Sequence, residues 1–162
     1  MTRGPGAARW LALLPGLVAA SVVSSAAAGA ASFPCVTLAS HPDGAPLAEL
    51  AAGDAPFEVS YVHSVTRTPV FERYRVDGDA IVETEMRFAQ HGPGLPTQAD
   101  AGYAFELRDG QFIVTMSRRF PIIVMRVHRD QSPRLRALDR DVDLAAWGNR
   151  SLALAASRCT AR

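Results

Sequence analysis

A histidine, a serine and a glutamate lie close together in a segment whose residues otherwise alternate like those of a β-hairpin. His63, Ser64 and Glu72 are residue types that serve as general base, nucleophile and orienting group in hydrolases. Adjacent residues of a strand point to opposite faces, so Ser64 cannot reach His63 unless the strand ends or bulges there. The chain also lacks the Gly-x-Ser-x-Gly elbow of the α/β-hydrolases. Nucleophilic catalysis by Ser64 is therefore disfavoured.

The register of this hairpin decides whether His63 and Glu72 can meet. Alternate positions up to His63 share one face of the first strand, and alternate positions from Val70 onward share one face of the next. Matching the apolar residues predicts Tyr61 opposite Glu72 and His63 opposite Val70. His63 and Glu72 are then diagonal neighbours, about 7 to 8 Å apart at the backbone. We predict a His63–Glu72 pair on the inward face; the alternative is a polar pair that only fixes the hairpin register.

A second candidate element is the loop at residues 92–97, which contains two glycines and two prolines. Because glycine has no Cβ, such a loop can bring backbone N–H groups close to a ligand, although it can equally be an ordinary structural turn. No Gly-Lys-Ser/Thr follows it, so it is not a phosphate-binding loop. We predict one patch that binds a ligand or partner, formed by the hairpin and this loop. Its residues are Tyr61, His63, Ser64, Thr66, Thr68, Pro69, Glu72, Gly92, Gly94, Leu95, Pro96 and Thr97.

In the segments that must position these residues, apolar and polar side chains alternate with a period of two, which is typical of strands. Asp77-Gly78 and Asp109-Gly110 predict hairpin turns. Beyond the first turn the alternation resumes, and one face of the next strand is predicted to carry Val82, Thr84, Met86 and Phe88. Further strands are predicted at residues 36–39, 120–128 and 151–156, whereas 45–51 and 135–147 are either strands or helical turns. The pattern predicts an all-β fold, an antiparallel sandwich or a partly open barrel.

The N-terminal residues have the layout of a secretory signal peptide. Arg3 and Arg9 precede an uncharged apolar run, which is followed by small residues. The run is shorter than the roughly twenty residues that a membrane-spanning helix needs. We predict a signal peptide at residues 1–30, cleaved after Ala28 or Ala30, with an uncleaved anchor as the alternative. Residues 31–162 are predicted to form a single β domain that is exported to the periplasm without a membrane anchor.

The net charge and the cysteines limit which classes of ligand and cofactor are expected. A formal net charge of +1 gives no electrostatic argument for binding nucleic acid or anionic lipid. Cys35 and Cys159 are predicted to form a disulfide in an oxidising compartment, with two buried free thiols as the alternative. There is no Cys-x-x-Cys, and the histidines lack the paired spacing of zinc ligands. We predict no metal and no cofactor.

Three motifs together resemble the signature of a family of small exported bacterial proteins known only as a domain of unknown function. They are YVHS at 61–64, TPVFE at 68–72 and GPGLP at 92–96. The chain departs from the family pattern at Pro93, where a small residue such as Ala is expected. The resemblance implies a gene neighbourhood with TRAP transporters of the TAXI type, and hence a permease or solute-binding protein as partner. It implies no catalytic residues.

Three functional hypotheses follow. The leading one is an exported, non-catalytic binding or accessory module for a TRAP-type uptake system. The second is a small periplasmic hydrolase that uses His63 as base and Glu72 as orienting group. The third is a structural protein that associates with itself through its edge strands.

Overall fold

The structure, a computed structural model, describes residues 1–2 and 31–160. The regular elements of this part are eleven strands and two short 3-10 turns, Arg129–Gln131 and Leu144–Trp147. The strands are β1 (Ser32–His41), β2 (Pro46–Ala51), β3 (Phe57–Val62), β4 (Pro69–Asp77), β5 (Ala80–Phe88), β6 (Ala104–Arg108), β7 (Gln111–Phe120), β8 (Ile123–Val127), β9 (Arg134–Ala137), β10 (Arg140–Asp143) and β11 (Arg150–Thr160). The predicted signal peptide falls almost entirely on residues 3–30, outside the described residues. In the described part, no helix has the length and apolar character needed to cross a membrane.

The strands form two antiparallel sheets, which confirms the predicted all-β fold as a sandwich rather than a barrel. The smaller sheet has the order β2-β1-β11-β8, and the larger has the order β10-β9-β3-β4-β5-β7-β6. Both predicted hairpin turns are present, with Gly78 and Gly110 at positive φ values of 64° and 75°. The predicted strand at 120–128 is divided, because Phe120 ends β7 and β8 starts only at Ile123. Pro121 explains the break, since it has no N–H for a sheet hydrogen bond.

The first and last strands are held together. Strand β1 pairs with β11 along its whole length, from Ser32 opposite Thr160 to His41 opposite Ser151. The Cys35–Cys159 disulfide links the same two strands, and the two Cα atoms are 5.8 Å apart. This confirms the predicted disulfide, which is compatible with an exported protein because such bonds persist in oxidising compartments.

The buried side chains form two clusters that meet along strand β4. The larger cluster fills the space between the sheets and includes Phe57, Tyr74 and Leu154. The smaller one contains Val70 and lies under the loop that joins β5 to β6. Burying a large apolar side chain contributes about 1.5 to 3 kcal/mol, so these clusters supply most of the driving force for folding. Glu72 lies between Val70 and Tyr74 on the same face of β4, so a charge is placed at the junction of the two clusters.

The predicted register of β3 and β4 is wrong by two residues. Tyr61 pairs with Val70, and Glu72 pairs with Val59. The turn is closed by the backbone N–H of His63, which donates to the carbonyl of Thr68 at 2.9 Å. A shift of two residues keeps every side chain on its own face. The inward face was therefore predicted correctly while the partners across the ladder were not.

Strand β5 contains a bulge at Thr84 that the alternation did not predict. Its pairing shifts there, so that Glu83 lies opposite Tyr74 and Glu85 lies opposite Arg73. The Thr84 hydroxyl donates to the carbonyl of Arg73 at 3.1 Å, which provides a hydrogen bond at the irregular position. A bulge shifts the alternation of a strand by one residue.

The bulge overturns the predicted face of β5. Ile81 belongs to the main core cluster, whereas Val82 is buried outside it. Met86 and Phe88 remain inward as predicted. Glu83 lies on the same face of β5 as Ile81 and is buried. The irregularity therefore turns a second carboxylate towards the interior.

Candidate functional site

A cavity of about 340 Å³ lies between the inner face of the larger sheet and strand β8 of the smaller sheet. Strands β3, β4, β5, β7 and β8 all contribute to its wall. The polar residues that line it are Tyr61, Glu72, Tyr74, Glu83, Arg118, Arg126 and Gln131. Its apolar wall includes Val59, Met86, Phe120, Ile123, Met125 and Val127. A concave, mostly apolar space with a few convergent polar groups is the usual form of a small-molecule site.

Glu72 is held in the cavity by two tyrosine hydroxyls. Tyr61 donates to Oε1 at 3.1 Å, and Tyr74 donates to Oε2 at 2.7 Å. Burial raises the pKa of Glu72, although these two hydrogen bonds and the charge of Arg118 oppose the rise. Burial and the nearby Glu72 carboxylate also raise the pKa values of Tyr61 and Tyr74. Both hydroxyls therefore stay protonated and act as fixed donors.

Glu83 is the least exposed charged group of the site. Its side chain is 3% exposed, and Arg118 Nη1 is its one hydrogen-bond partner among the described residues, at 3.4 Å from Oε2. Burial raises the pKa of Glu83 to about 7; repulsion from Glu72 adds to the rise, and Arg118 opposes it. The Glu83 carboxyl can therefore gain or lose a proton near neutral pH.

Arg118 contacts the buried Glu83 carboxylate and is itself half-exposed to solvent. Its side chain is 48% exposed, and its guanidinium lies 5.1 Å from the ring centre of Phe120. A second cavity of about 640 Å³ shares Arg118 and Gly94 with the first, so the two spaces adjoin. The wall of the second cavity also includes Leu95, Pro96 and Thr97 of the predicted loop.

His63 does not pair with Glu72, and this part of the prediction is wrong. Its Nε2 lies 3.1 Å from the carbonyl oxygen of Pro93 and must donate to it, since a carbonyl only accepts. Its Nδ1 accepts from the backbone N–H groups of Val65 and Thr66, each at 3.2 Å. Because both ring nitrogens are engaged elsewhere, the base and orienting group of the hydrolase hypothesis do not meet.

His63 instead joins the hairpin turn to the glycine- and proline-rich loop. Gly92 lies so close to its ring that a Cβ there would be 2.7 Å from the Cε1 atom. The turn itself is closed by a hydrogen bond between the hydroxyls of Thr66 and Thr68 at 2.9 Å. Ser64 is exposed and makes no contact that would activate it among the described residues. The predicted proximity of hairpin and loop is thus present, with His63 in a structural role.

The predicted patch therefore divides into two parts. The first cavity, between the sheets, is called the inner cavity below; it is lined by Tyr61, Glu72 and Gly94 of the patch. The second cavity is called the outer one; it is lined by Gly94, Leu95, Pro96 and Thr97. The remaining residues, which line neither cavity, are His63, Ser64, Thr66, Thr68, Pro69 and Gly92.

Sequence reasoning missed Glu83 and Arg118. Glu83 had no signal, because the bulge at Thr84 that turns it inward is not marked by a glycine or proline. Arg118 could have been found: it continues the two-residue spacing of Val114 and Met116, which are buried on β7. In the part of the chain that the structure describes, no cluster of three or more His, Cys, Asp or Glu is arranged to hold a metal ion.

Comparison with known proteins identifies a family. No curated protein and no solved structure matches the chain. A family model described as "Domain of unknown function (DUF1850)" matches residues 57–144, which is more than half of the chain. The matched segment runs from β3 to the start of the second 3-10 turn and contains both carboxylates and Arg118. The chain therefore belongs to the DUF1850 family.

Proposed function

We propose that this protein is a non-catalytic ligand-binding accessory module that acts in the periplasm, beside a TRAP-type uptake system of the TAXI class. The observation that carries the binding role is the cavity of about 340 Å³ between the sheets. Its wall combines apolar side chains with two carboxylates, two tyrosine hydroxyls and the guanidinium of Arg118. A buried carboxylate beside a partly buried one costs stability in a small fold, so a functional reason for keeping Glu83 and Glu72 is expected.

The location is supported by two independent features. The leader-like pattern at residues 1–30 is typical of export, and the Cys35–Cys159 disulfide suits an oxidising compartment. The association with a TRAP system is supported by the resemblance of the motifs at 61–64, 68–72 and 92–96. A binding module near a transporter would sequester or present a solute, or report its presence to the transporter.

The transporter partnership is tested by affinity purification from the periplasm and membrane of the native host. A tagged chain is expressed with and without the neighbouring transport genes, and the captured proteins are quantified by mass spectrometry. We expect enrichment of the permease or the solute-binding protein over an untagged control. Equal recovery with tagged and untagged chains would contradict the partnership.

The binding role is tested separately on the purified protein. A panel of small anionic, cationic and neutral solutes is screened by the shift in thermal unfolding temperature, because a ligand that binds only the native state stabilises it. At least one charge class should raise the unfolding temperature in a concentration-dependent manner. If no class does, the cavity is not a ligand site.

A further inference from the structure

The charge balance of the inner cavity points to the kind of ligand it takes. Glu72 and Glu83 face Arg118, so two carboxylates are opposed by one guanidinium when both are ionised. Arg126 also contributes to the wall, but Met125 and Val127 on either side of it pack against the core. Adjacent strand residues point to opposite faces, so the Arg126 side chain projects away from the cavity. The interior is left with an excess of one negative charge.

The hydrogen-bonding capacity of Glu83 is also largely unfilled. An ionised carboxylate offers about four acceptor sites. Among the described residues, only Arg118 donates to Glu83, at the long distance of 3.4 Å. Glu72 by comparison receives two hydroxyl donors at 3.1 and 2.7 Å. A positively charged donor placed beside Glu83 would supply both the missing hydrogen bonds and the missing charge.

The rest of the wall suits an apolar body. Val59 and Met86 come from the larger sheet, and Ile123 and Met125 come from the edge strand of the smaller sheet. Phe120 adds an aromatic ring that already lies against a guanidinium. Unbranched methionine side chains adapt to ligands of different shape.

We infer that the inner cavity binds an amphipathic organic cation, with a primary ammonium group between Glu83 and Glu72 and an apolar body against Met86, Met125 and Phe120. This inference rests on the proposed binding function and specifies its ligand class. An ammonium group has three donors and one positive charge, which matches the unfilled acceptors and the charge excess.

Three probes of the same length but different charge test the inference: n-hexylammonium, n-hexanol and hexanoate. Binding to the purified full chain is measured by calorimetry at pH 8, where a primary alkylamine is still protonated. We expect n-hexylammonium to bind about tenfold or more tightly than n-hexanol, since hydrogen bonds to charged groups are the stronger ones. Hexanoate should bind more weakly than either, because it is repelled by the carboxylates.

A matched pair of variants locates the site. Glu83→Gln keeps the size of the side chain but removes its charge, and it should weaken n-hexylammonium binding by about tenfold or more. Glu85→Gln removes a neighbouring charge on the same strand that forms ion pairs with Arg73 and Arg87 and does not line the cavity. It should leave the affinity unchanged. Thermal unfolding of both variants verifies that each is folded.

Protonation of Glu83 provides a second readout. The titratable and charged groups lining the cavity with it are Tyr61, Glu72, Tyr74, Arg118 and Arg126. A bound cation favours the ionised carboxylate, so binding below pH 7 must release a proton from a site whose pKa is about 7. The affinity for n-hexylammonium should rise by up to tenfold per pH unit towards pH 7 and then level off. In Glu83→Gln this rise should be strongly reduced.

The outcomes separate the inference from the proposed function. Tighter binding of hexanoate or n-hexanol than of n-hexylammonium would retain a ligand site but overturn the cationic class. Binding of n-hexylammonium that is equal in wild type and Glu83→Gln would also overturn it. If none of the three probes binds, and no solute of the wider panel does, both the inference and the binding function fail.

Discussion

The His63 ring packs directly on the backbone of Gly92. A Cβ at position 92 would lie 2.7 Å from Cε1 and 3.0 Å from Nε2 of the ring. Through this contact, and the hydrogen bond from Nε2 to Pro93, His63 fixes the loop whose next glycine, Gly94, lines both cavities. The histidine acts on the site only through the loop that it positions.

Gly92→Ala should destabilise the fold through this contact. The added methyl group forces the ring or the loop to move, and overpacking of this kind typically costs about 1 to 3 kcal/mol. The free energy of unfolding is measured by urea denaturation. Should Gly92→Ala unfold like wild type, the close packing of ring and loop is not present in solution.

The control for this prediction is a double-mutant cycle. His63→Ala removes the ring and should itself be destabilising, because it leaves the carbonyl of Pro93 and two backbone N–H groups without their partner. Adding Gly92→Ala to it should cost much less than adding it to wild type, since the principal clash is gone. Additive costs in the cycle would show that the two residues act independently.

The raised pKa of Glu83 predicts an unusual dependence of stability on pH. Its pKa rises from the ordinary 4.5 to about 7 on folding, so the native state binds more protons than the unfolded state between these values. The contribution of Glu83 to the free energy of unfolding is therefore greatest below pH 4.5, falls as the pH rises to 7, and is constant above. The expected loss is on the order of 1 to 3 kcal/mol.

Glu83→Gln is the matched variant for this titration. It is neutral at every pH and should remove most of the decline in stability between pH 4.5 and 7. Wild type and variant are compared by urea denaturation across that range. An identical pH profile for the two proteins would show that Glu83 is not the titrating group.

Arg118→Leu should be destabilising at high pH and much less so at low pH. At pH 8 it removes the cation that faces Glu72 and Glu83 while both are most ionised. We expect a loss of roughly 1 to 2 kcal/mol, less than for a fully buried pair because the guanidinium is half-exposed. At pH 5 Glu83 is protonated in the native state, so the loss should shrink.

Arg119→Leu is the control for this charge effect. Arg119 is the next residue on β7 and forms exposed ion pairs with Asp77 and Asp79. Its replacement should cost less than about 1 kcal/mol at either pH. Equal effects of the two substitutions would contradict a special role for Arg118.

The disulfide should contribute substantially to stability. Cys35 and Cys159 are separated by 124 residues, so the bond restricts a large part of the unfolded chain. Replacing both by Ala should lower the free energy of unfolding by about 2 to 4 kcal/mol. Wild type treated with a reductant should lose a similar amount, whereas the double variant should not respond to it.

The amino-acid sequence by itself determined the all-β class, the two hairpin turns, the inward face of β4 and the terminal disulfide. These follow from local properties: alternation with a period of two, Asp-Gly pairs that adopt hairpin turns, and a single possible pair of cysteines. The same alternation placed Tyr61 and Glu72 correctly on the inward face.

Only the tertiary structure decided which polar groups meet. The register of β3 and β4 depends on which residues close the turn after His63, and two registers that differ by two residues present the same faces. At the bulge at Thr84 the pairing of β5 shifts against both β4 and β7, and Glu83 is turned towards Glu72 and Arg118. Contacts of this kind join distant parts of the chain, so no local pattern encodes them.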